Sequence, residues 1–212
     1  MAVFKYEKRS SWAATNPVLQ SGECGFESDT GNRKIGNGKD TWLRLPYCGA
    51  PGYWGEFVSA SSQTAAANTP TEVTFADSLA GLTKRITLLN DSEIKVDHAG
   101  VYEFQIVLHL KNDDSQIHDA AFWLRKNNSS SAGDVPLTTL SVSVIESHGG
   151  VPGRMTAAFD HTLTLDAGDY IELIWATSNA DISISGAAAT TSPYARPTAP
   201  SAVCNVFQVA SA

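Results

Sequence analysis

Ten residues from Gly31 to Asp40, GNRKIGNGKD, carry the spacing that most invites a chemical reading. A glycine-rich loop ending in Gly-Lys can cradle a phosphate through backbone N–H groups and a lysine ammonium. The pattern fails here. The place five residues before Gly38-Lys39 holds Arg33 rather than glycine, and Lys39 is followed by Asp40 rather than Ser or Thr. The glycines read better as turn residues in a tightly wound β structure. His98, His109, His118, His148 and His161 are scattered and form no HExxH pair, and no G-x-S-x-G elbow accompanies them. Asp113, Asp114, His118 and Asp119 could approach a divalent ion, but they lack the D-x-D-x-D-G order of a calcium loop and read as a solvated loop tip. Trp54, Trp123 and Trp175 could stack on sugars, although such rings more often fill cores or interfaces. No catalytic, cofactor-binding or metal-ligating residue is expected, and no cofactor.

Composition narrows the partners. The chain has 212 residues, 42% of them hydrophobic, enough for one medium domain and a small module. A net charge of -7 argues against duplex nucleic acid and against a polybasic membrane anchor. No apolar run reaches the ~18 residues of a spanning helix. MAVFKYEKRSSWAA contains no signal-peptide core, so folding in a reducing bacterial cytoplasm is expected. Cys24, Cys48 and Cys204 are too few and too scattered for a disulfide framework or a zinc site. A Cys24–Cys48 bridge is open by position but nothing forces it.

The elements that would position any site are strands. Val101 to Leu110 alternates, with Tyr102, Phe104, Ile106, Leu108 and Leu110 on one face and Glu103, Gln105, Val107 and His109 on the other. Further strands are expected at His118–Arg125, Leu137–Val144, Thr156–Leu165, Asp169–Trp175, Asp181–Ser185 and Ala202–Val209, with shorter ones at Trp54–Val58, Glu72–Phe75, Lys84–Leu89 and Glu93–Val96. Asp166-Ala167-Gly168 reads as a tight hairpin between two of them. No apolar stripe of helical period survives more than about two turns. Residues 1–11 read as a polar arm, 12–49 as a glycine-punctuated module, 48–52 as a joint, and 186–200 as a loose surface stretch. Short strands with turn signals about every ten residues argue for a β-sandwich.

Two resemblances sharpen this. Gly22, Glu23, Gly25, Phe26, Asp29, Thr30, Gly31, Lys34, Gly36, Gly38, Trp42, Leu45, Pro46 and Tyr47 stand in an order that resembles a module of bacteriophage tail fibres and tropism proteins. That likeness implies a virion appendage, usually trimeric, rather than an enzyme. Over 53–212, the series QTAAANTPTEVTF, EIKVDHAGVYEFQ, AFWLRKNN, LDAGDYIELIW and PSAVCNVFQV resembles the jelly-roll superfamily of tumour necrosis factor and the complement globular heads, in the version found in phage structural proteins. Ser129-Ser130-Ser131 departs from that pattern, where relatives often carry Asn-Gly, and implies a longer loop.

The expectation is therefore all-β: a trimeric chain with an attachment and trimerisation module at 1–49 and a jelly-roll head at 53–212. A module of under 50 residues hides too little surface to stand alone, which favours oligomerisation. Glu103, Gln105, Val107 and His109 form either a wet outer face or a subunit interface. Gly25, Phe26, Asp29, Gly31, Gly36, Gly38, Trp42, Pro46 and Tyr47 would build the module, with Trp12 and Trp42 as its anchors. Loops carrying Asn127, Asn128, His148 and Tyr194 have the composition of recognition surfaces. The expected role is a non-enzymatic virion protein, a trimeric fibre or appendage that meets other virion proteins and a host-surface glycan or protein. Capsid decoration and a fibre-borne polysaccharide depolymerase are the alternatives.

Overall fold

Two indoles organise the first part of the chain. Trp12 and Trp42 are fully buried and stack with centroids 4.2 Å apart and planes 15° from parallel. The computed structural model describes residues 4–48, 52–75 and 83–211, so residues 49–51 of the expected joint lie outside the described residues. The chain divides into two compact units, Met1–Gly52 and Tyr53–Ala212.

In the first unit β1 (Phe4–Glu7) runs parallel to β2 (Cys24–Glu27), which pairs antiparallel with β3 (Arg33–Ile35). Between β1 and β2 lies the helix α1 (Arg9–Thr15). Within the expected arm Phe4–Glu7 are strand, and from Arg9 the chain enters the helix. Seven residues are too few to leave a periodic stripe, and Trp12 is the one side chain α1 buries. Its Nε1–H donates to the Phe26 carbonyl at 3.0 Å, and Leu19, Leu45 and Tyr47 close the cluster. Gly25 is required by close approach: a Cβ there would overlap the Trp42 ring.

A buried polar pair sits beside the indoles. Glu27 is wholly inaccessible and accepts hydrogen bonds from the Tyr47 hydroxyl at 2.5 Å and from the Thr30 hydroxyl. Lys34, also buried, donates to the Trp42 carbonyl at 2.8 Å. Its ammonium lies 4.2 Å from the Tyr47 ring centroid and 5.1 Å from that of Trp42, within cation–π range. Burial lowers the Lys34 pKa, and the Glu27 carboxylate opposes that shift.

The second unit is a two-sheet sandwich. Its strands are β4 (Trp54–Ser59), β5 (Gln63–Thr64), β6 (Thr71–Glu72), β7 (Thr83–Lys84), β8 (Ile86–Leu89), β9 (Glu93–Val96), β10 (Gly100–Asn112), β11 (His118–Lys126), β12 (Leu140–Val144), β13 (Gly153–Leu165), β14 (Tyr170–Thr177), β15 (Ile182–Ile184) and β16 (Ala202–Ser211). β10 is the spine of the first sheet. It pairs with β13 over thirteen residues on one side, and with β16 and then β15 on the other; β4 and β7 continue beyond β16, and β5 beyond β15. The second sheet runs β12-β11-β14-β9-β8, with β6 against β14. Tyr102, Phe104, Ile106, Leu108 and Leu110 on β10 meet Phe122, Leu124, Leu173 and Trp175 in one core. The fold is all-β: a small glycine-rich β module and a jelly-roll β-sandwich.

Four expectations change, the first being that the strand expected at Glu72–Phe75 is reduced to Thr71–Glu72. The Asp166–Gly168 turn forms, with Gly168 at φ +95°, but it carries the chain from β13 in one sheet to β14 in the other, so it is no hairpin. Lys84–Leu89 is broken at Arg85, whose φ is +62°. The strand expected from Leu137 begins only at Leu140. Leu137 itself is 98% exposed at φ +65°, a left-handed position that a β-branch-free but bulky residue seldom takes.

Cys24, Cys48 and Cys204 are free thiols, the first two half-buried. Burial pushes the Cys204 thiol up to about 12. Iodoacetamide on the native chain should therefore add two adducts, at Cys24 and Cys48, and a third only after denaturation; intact-mass spectrometry reads this. Tyr47→Phe removes one donor from the inaccessible Glu27 carboxylate and should destabilise the first unit by about 1–3 kcal/mol, seen as an earlier loss of the indole near-UV circular dichroism signal in the full-length chain.

Candidate functional site

Three surfaces can do something. The first is the outward face of the β10 sheet, which follows from strand alternation: with Tyr102 through Leu110 inside, Glu103, Gln105, Val107 and His109 must face out. Register then builds rows across the sheet. Val58, Val203, Val107 and Ala158 stand side by side on β4, β16, β10 and β13. The next row is polar, Glu56, Asn205, Gln105 and Asp160. The third is Trp54, Phe207, Glu103 and Thr162, with Phe207 39% exposed. Gln105 donates to Glu103 at 3.0 Å. An apolar row lies between polar ones on a face that would otherwise be wet.

The second surface is the outward face of the other sheet. Towards one end it is tightly closed: Arg125 and Glu172 are paired across β11 and β14, and both are buried. Arg125 Nε donates to Asp134 at 2.7 Å. Glu172 accepts from the Ser92 hydroxyl at 3.3 Å through one oxygen, while its other oxygen has no partner among the described residues. Burial raises the Glu172 pKa above the ordinary carboxylate range, and Glu72 adds to the shift. Trp123, half-buried, and Trp175, fully buried, each keep an indole N–H without a partner among the described residues. At the other end the same face opens into a groove of about 400 Å³ lined by Asn68, Asp119, Ala121, Ser141, Ser143, Ala176 and Ser178 among others. No sequence pattern marked that groove, because its residues come from four separate segments.

The third surface is the pair of loop ends. Asn127 and Asn128 lie where β10 begins, and His148 and Tyr194 lie on loops where β10 finishes, so the structure does not gather the four. Asn127, at φ +51°, donates to Asp169 at 2.5 Å and accepts from the Tyr170 N–H at 2.8 Å. Lys126 joins Asp169 at 2.6 Å. Asn127 therefore fastens the sheet-changing turn. Asn128 accepts from the Ser130 N–H and hydroxyl, both at 2.9 Å. His148 is exposed in a loop pinned to the β10–β11 connection through Ser147 and Asp114. Tyr194 is 67% exposed on the 186–200 excursion, whose Thr190 and Arg196 help line a second cavity of about 670 Å³.

In the module, Gly31 and Gly38 sit in turns at φ +74° and +75°, Gly36 lies against Leu19, and Pro46 is exposed. Asp29 accepts the Arg9 N–H at 2.9 Å where α1 begins, and the Phe26 ring meets Tyr6 at 5.3 Å. His118 Nε2 lies 2.6 Å from Asp114, with Asn179 alongside. Among the described residues no group of three His, Cys, Asp or Glu could hold a metal ion. No helix of the described residues is long and apolar enough to cross a membrane.

Glu172 has a stability consequence with a definite sign. A carboxyl whose folded pKa is raised binds its proton more tightly folded than unfolded, so stability falls as pH rises through the window above the ordinary carboxylate pKa. Glu172→Gln should raise the melting temperature near pH 7, by roughly 2–4 °C per kcal/mol recovered, and the gain should vanish towards pH 4. Thermal denaturation of both chains across that range checks it.

No protein-family model matches the chain. Among solved structures it is similar to Eiger TNF from S. frugiperda, with a TM-score of 0.52 and 17% identity, over 77% of this chain and 96% of that one. Among known proteins it is 42% identical, over 48 residues, to a "Hyaluronoglucosaminidase" of Streptococcus pyogenes phage H4489A. The match takes in 23% of this chain and spans only 13% of that relative's length. The head therefore has a TNF-like jelly-roll fold, and a short stretch of the chain is similar to a phage protein.

Proposed function

We propose that the chain is a non-enzymatic phage virion protein that assembles as a homotrimer and presents its jelly roll as an adhesion device towards the host surface. The observation that carries this is the Val58–Val203–Val107–Ala158 row on the outward face of the β10 sheet. Apolar rows on an outward face favour burial against a partner. Glu56, Glu103 and Asp160 lie to one side of the row and Lys111 and Arg154 to the other, so identical copies can set opposite charges against one another. The TNF-like fold and the phage relative support the same reading. The smaller unit then joins the head to the particle, and three weak sites on one rigid body gain avidity of about 10²–10⁴ over one.

A depolymerase is the second reading, favoured by the printed name of the phage relative. Its shared stretch of 48 residues is too short to hold a catalytic core. That length suits a shared module better than a shared chemistry.

Native mass spectrometry should give three times the 22.6 kDa chain, and Val107→Arg should shift the population to monomer with the circular dichroism spectrum kept. A monomeric parent chain at micromolar concentration overturns the trimer. Release of reducing ends from host polysaccharide overturns the non-enzymatic reading. Gold labelling of virions separates an appendage, with few copies, from a capsid decoration, with hundreds.

A further inference from the structure

We propose that the groove on the outward face of the second sheet binds a neutral sugar, with Ala121 and Ala176 as its floor and Asp119, Asn68 and Ser141 as its polar rim. The proposal rests on the adhesion reading for its biological sense, but the groove stands on its own geometry.

The depression has a plain cause. Outward residues on β11 run Asp119, Ala121, Trp123, Arg125, and those on β14 run Ala176, Ile174, Glu172 in the opposite sense. β12 contributes Ser141 and Ser143 opposite Ala121 and Asp119. Side chains thus fall from indole and guanidinium to methyl and hydroxymethyl along a single face. The resulting volume, about 400 Å³, is within the ~300–1,000 Å³ of small-ligand sites.

The rim is held in place yet keeps unused hydrogen-bond capacity. Asp119 Oδ1 accepts from the Ser143 hydroxyl at 2.7 Å, and its backbone N–H and carbonyl bond Ser178 at 2.9 Å each. These contacts fix the carboxylate and leave Oδ2 without a partner among the described residues. Asn68 is set by its left-handed backbone, φ +57°, and by its N–H to the Thr177 carbonyl at 2.7 Å. Its carboxamide makes no bond to the described residues, and neither does the Ser141 hydroxyl. A carboxylate that accepts, an amide that does both and a hydroxyl that does both surround a methyl floor. A pyranose ring presents the complement, a C–H face over the floor and hydroxyls around the edge. Preorganised rim groups lower the ordering cost of binding.

Charge selects among sugars. Among the described residues Asp119 is the one acidic side chain lining the groove, and no Lys or Arg lines it. A uronate, sulfate or phosphate sugar would set like charge against Asp119 on a chain already at -7. Neutral hexoses and N-acetylhexosamines avoid that repulsion. A peptide is a poorer occupant, since the alanine floor offers no pocket for the large anchors that dominate peptide affinity. The groove also lies at the end of the sandwich that carries the His148 and Tyr194 loops.

Saturation-transfer NMR on the full-length chain tests this with the methyl glycosides of glucose, galactose, N-acetylglucosamine and N-acetylgalactosamine, and with methyl glucuronide as the anionic control. At least one neutral glycoside should receive transfer and the glucuronide none. Ala121→Trp, which fills the groove, should abolish transfer. Asp119→Asn and Asn68→Gly, which keeps the left-handed backbone at φ +57°, should each weaken it about tenfold, with the melting temperature little changed. No transfer to any neutral glycoside, equal transfer to the glucuronide, or undiminished transfer to a folded Ala121→Trp chain overturns the proposal. Host-cell binding separates the two readings. Wild-type binding that survives Ala121→Trp sinks the groove and leaves adhesion standing; sugar binding without any cell binding sinks adhesion and leaves the groove.

Discussion

Strand β10 imposes the constraint on which the head depends. β13 pairs with all thirteen residues on one side, and β16 and β15 pair with all but His109 on the other, so the side chains are committed to one of two faces by the pleat. The inner set fills the core with Tyr102, Phe104, Ile106, Leu108 and Leu110. The outer set is thereby forced into line with β4, β13 and β16. A slip of one residue would exchange the two sets and expose five large apolar groups. Core, outward rows and the positions of both loop ends are consequences of that single register.

The smaller unit solves a different problem. With about fifty residues and free thiols, it packs its core by stacking two indoles and closing a lysine between aromatic rings. The buried Glu27 and Lys34 are both hydrogen-bonded, which is what makes their burial tolerable. The turn glycines surround this cluster instead of forming a phosphate cradle. Gly25 is small because Trp42 lies on it, a reason that has nothing to do with ligands.

Much of the fold was legible because alternation reports burial directly: β10, β11, β14 and β16 fall where apolar and polar residues exchange places. Connectivity was less legible. Asp166-Ala167-Gly168 announces a reversal, but nothing local says which sheet receives the chain afterwards. Arg85 and Leu137 interrupt strands through left-handed backbone, which composition does not reveal. The helix at Arg9–Thr15 escaped because it buries one side chain alone. Of the surfaces, the outward face of β10 was readable from its half-polar pattern. The groove was not, since Asn68, Asp119, Ser141 and Ser178 meet only after two strand pairings and a loop have formed.

The pairing of β4 with β16 has a mechanical consequence. The chain enters the head at Tyr53, and Trp54 lies opposite Phe207, at the end of the sandwich away from the His148 and Tyr194 loops. A head tethered through its first strand and pulled from those distant loops is loaded along the strand axis. Tension then falls on the six β4–β16 register pairs together, in shear, and not on one bond at a time as in peeling. Such a joint resists sudden drag far better than its individual hydrogen bonds suggest.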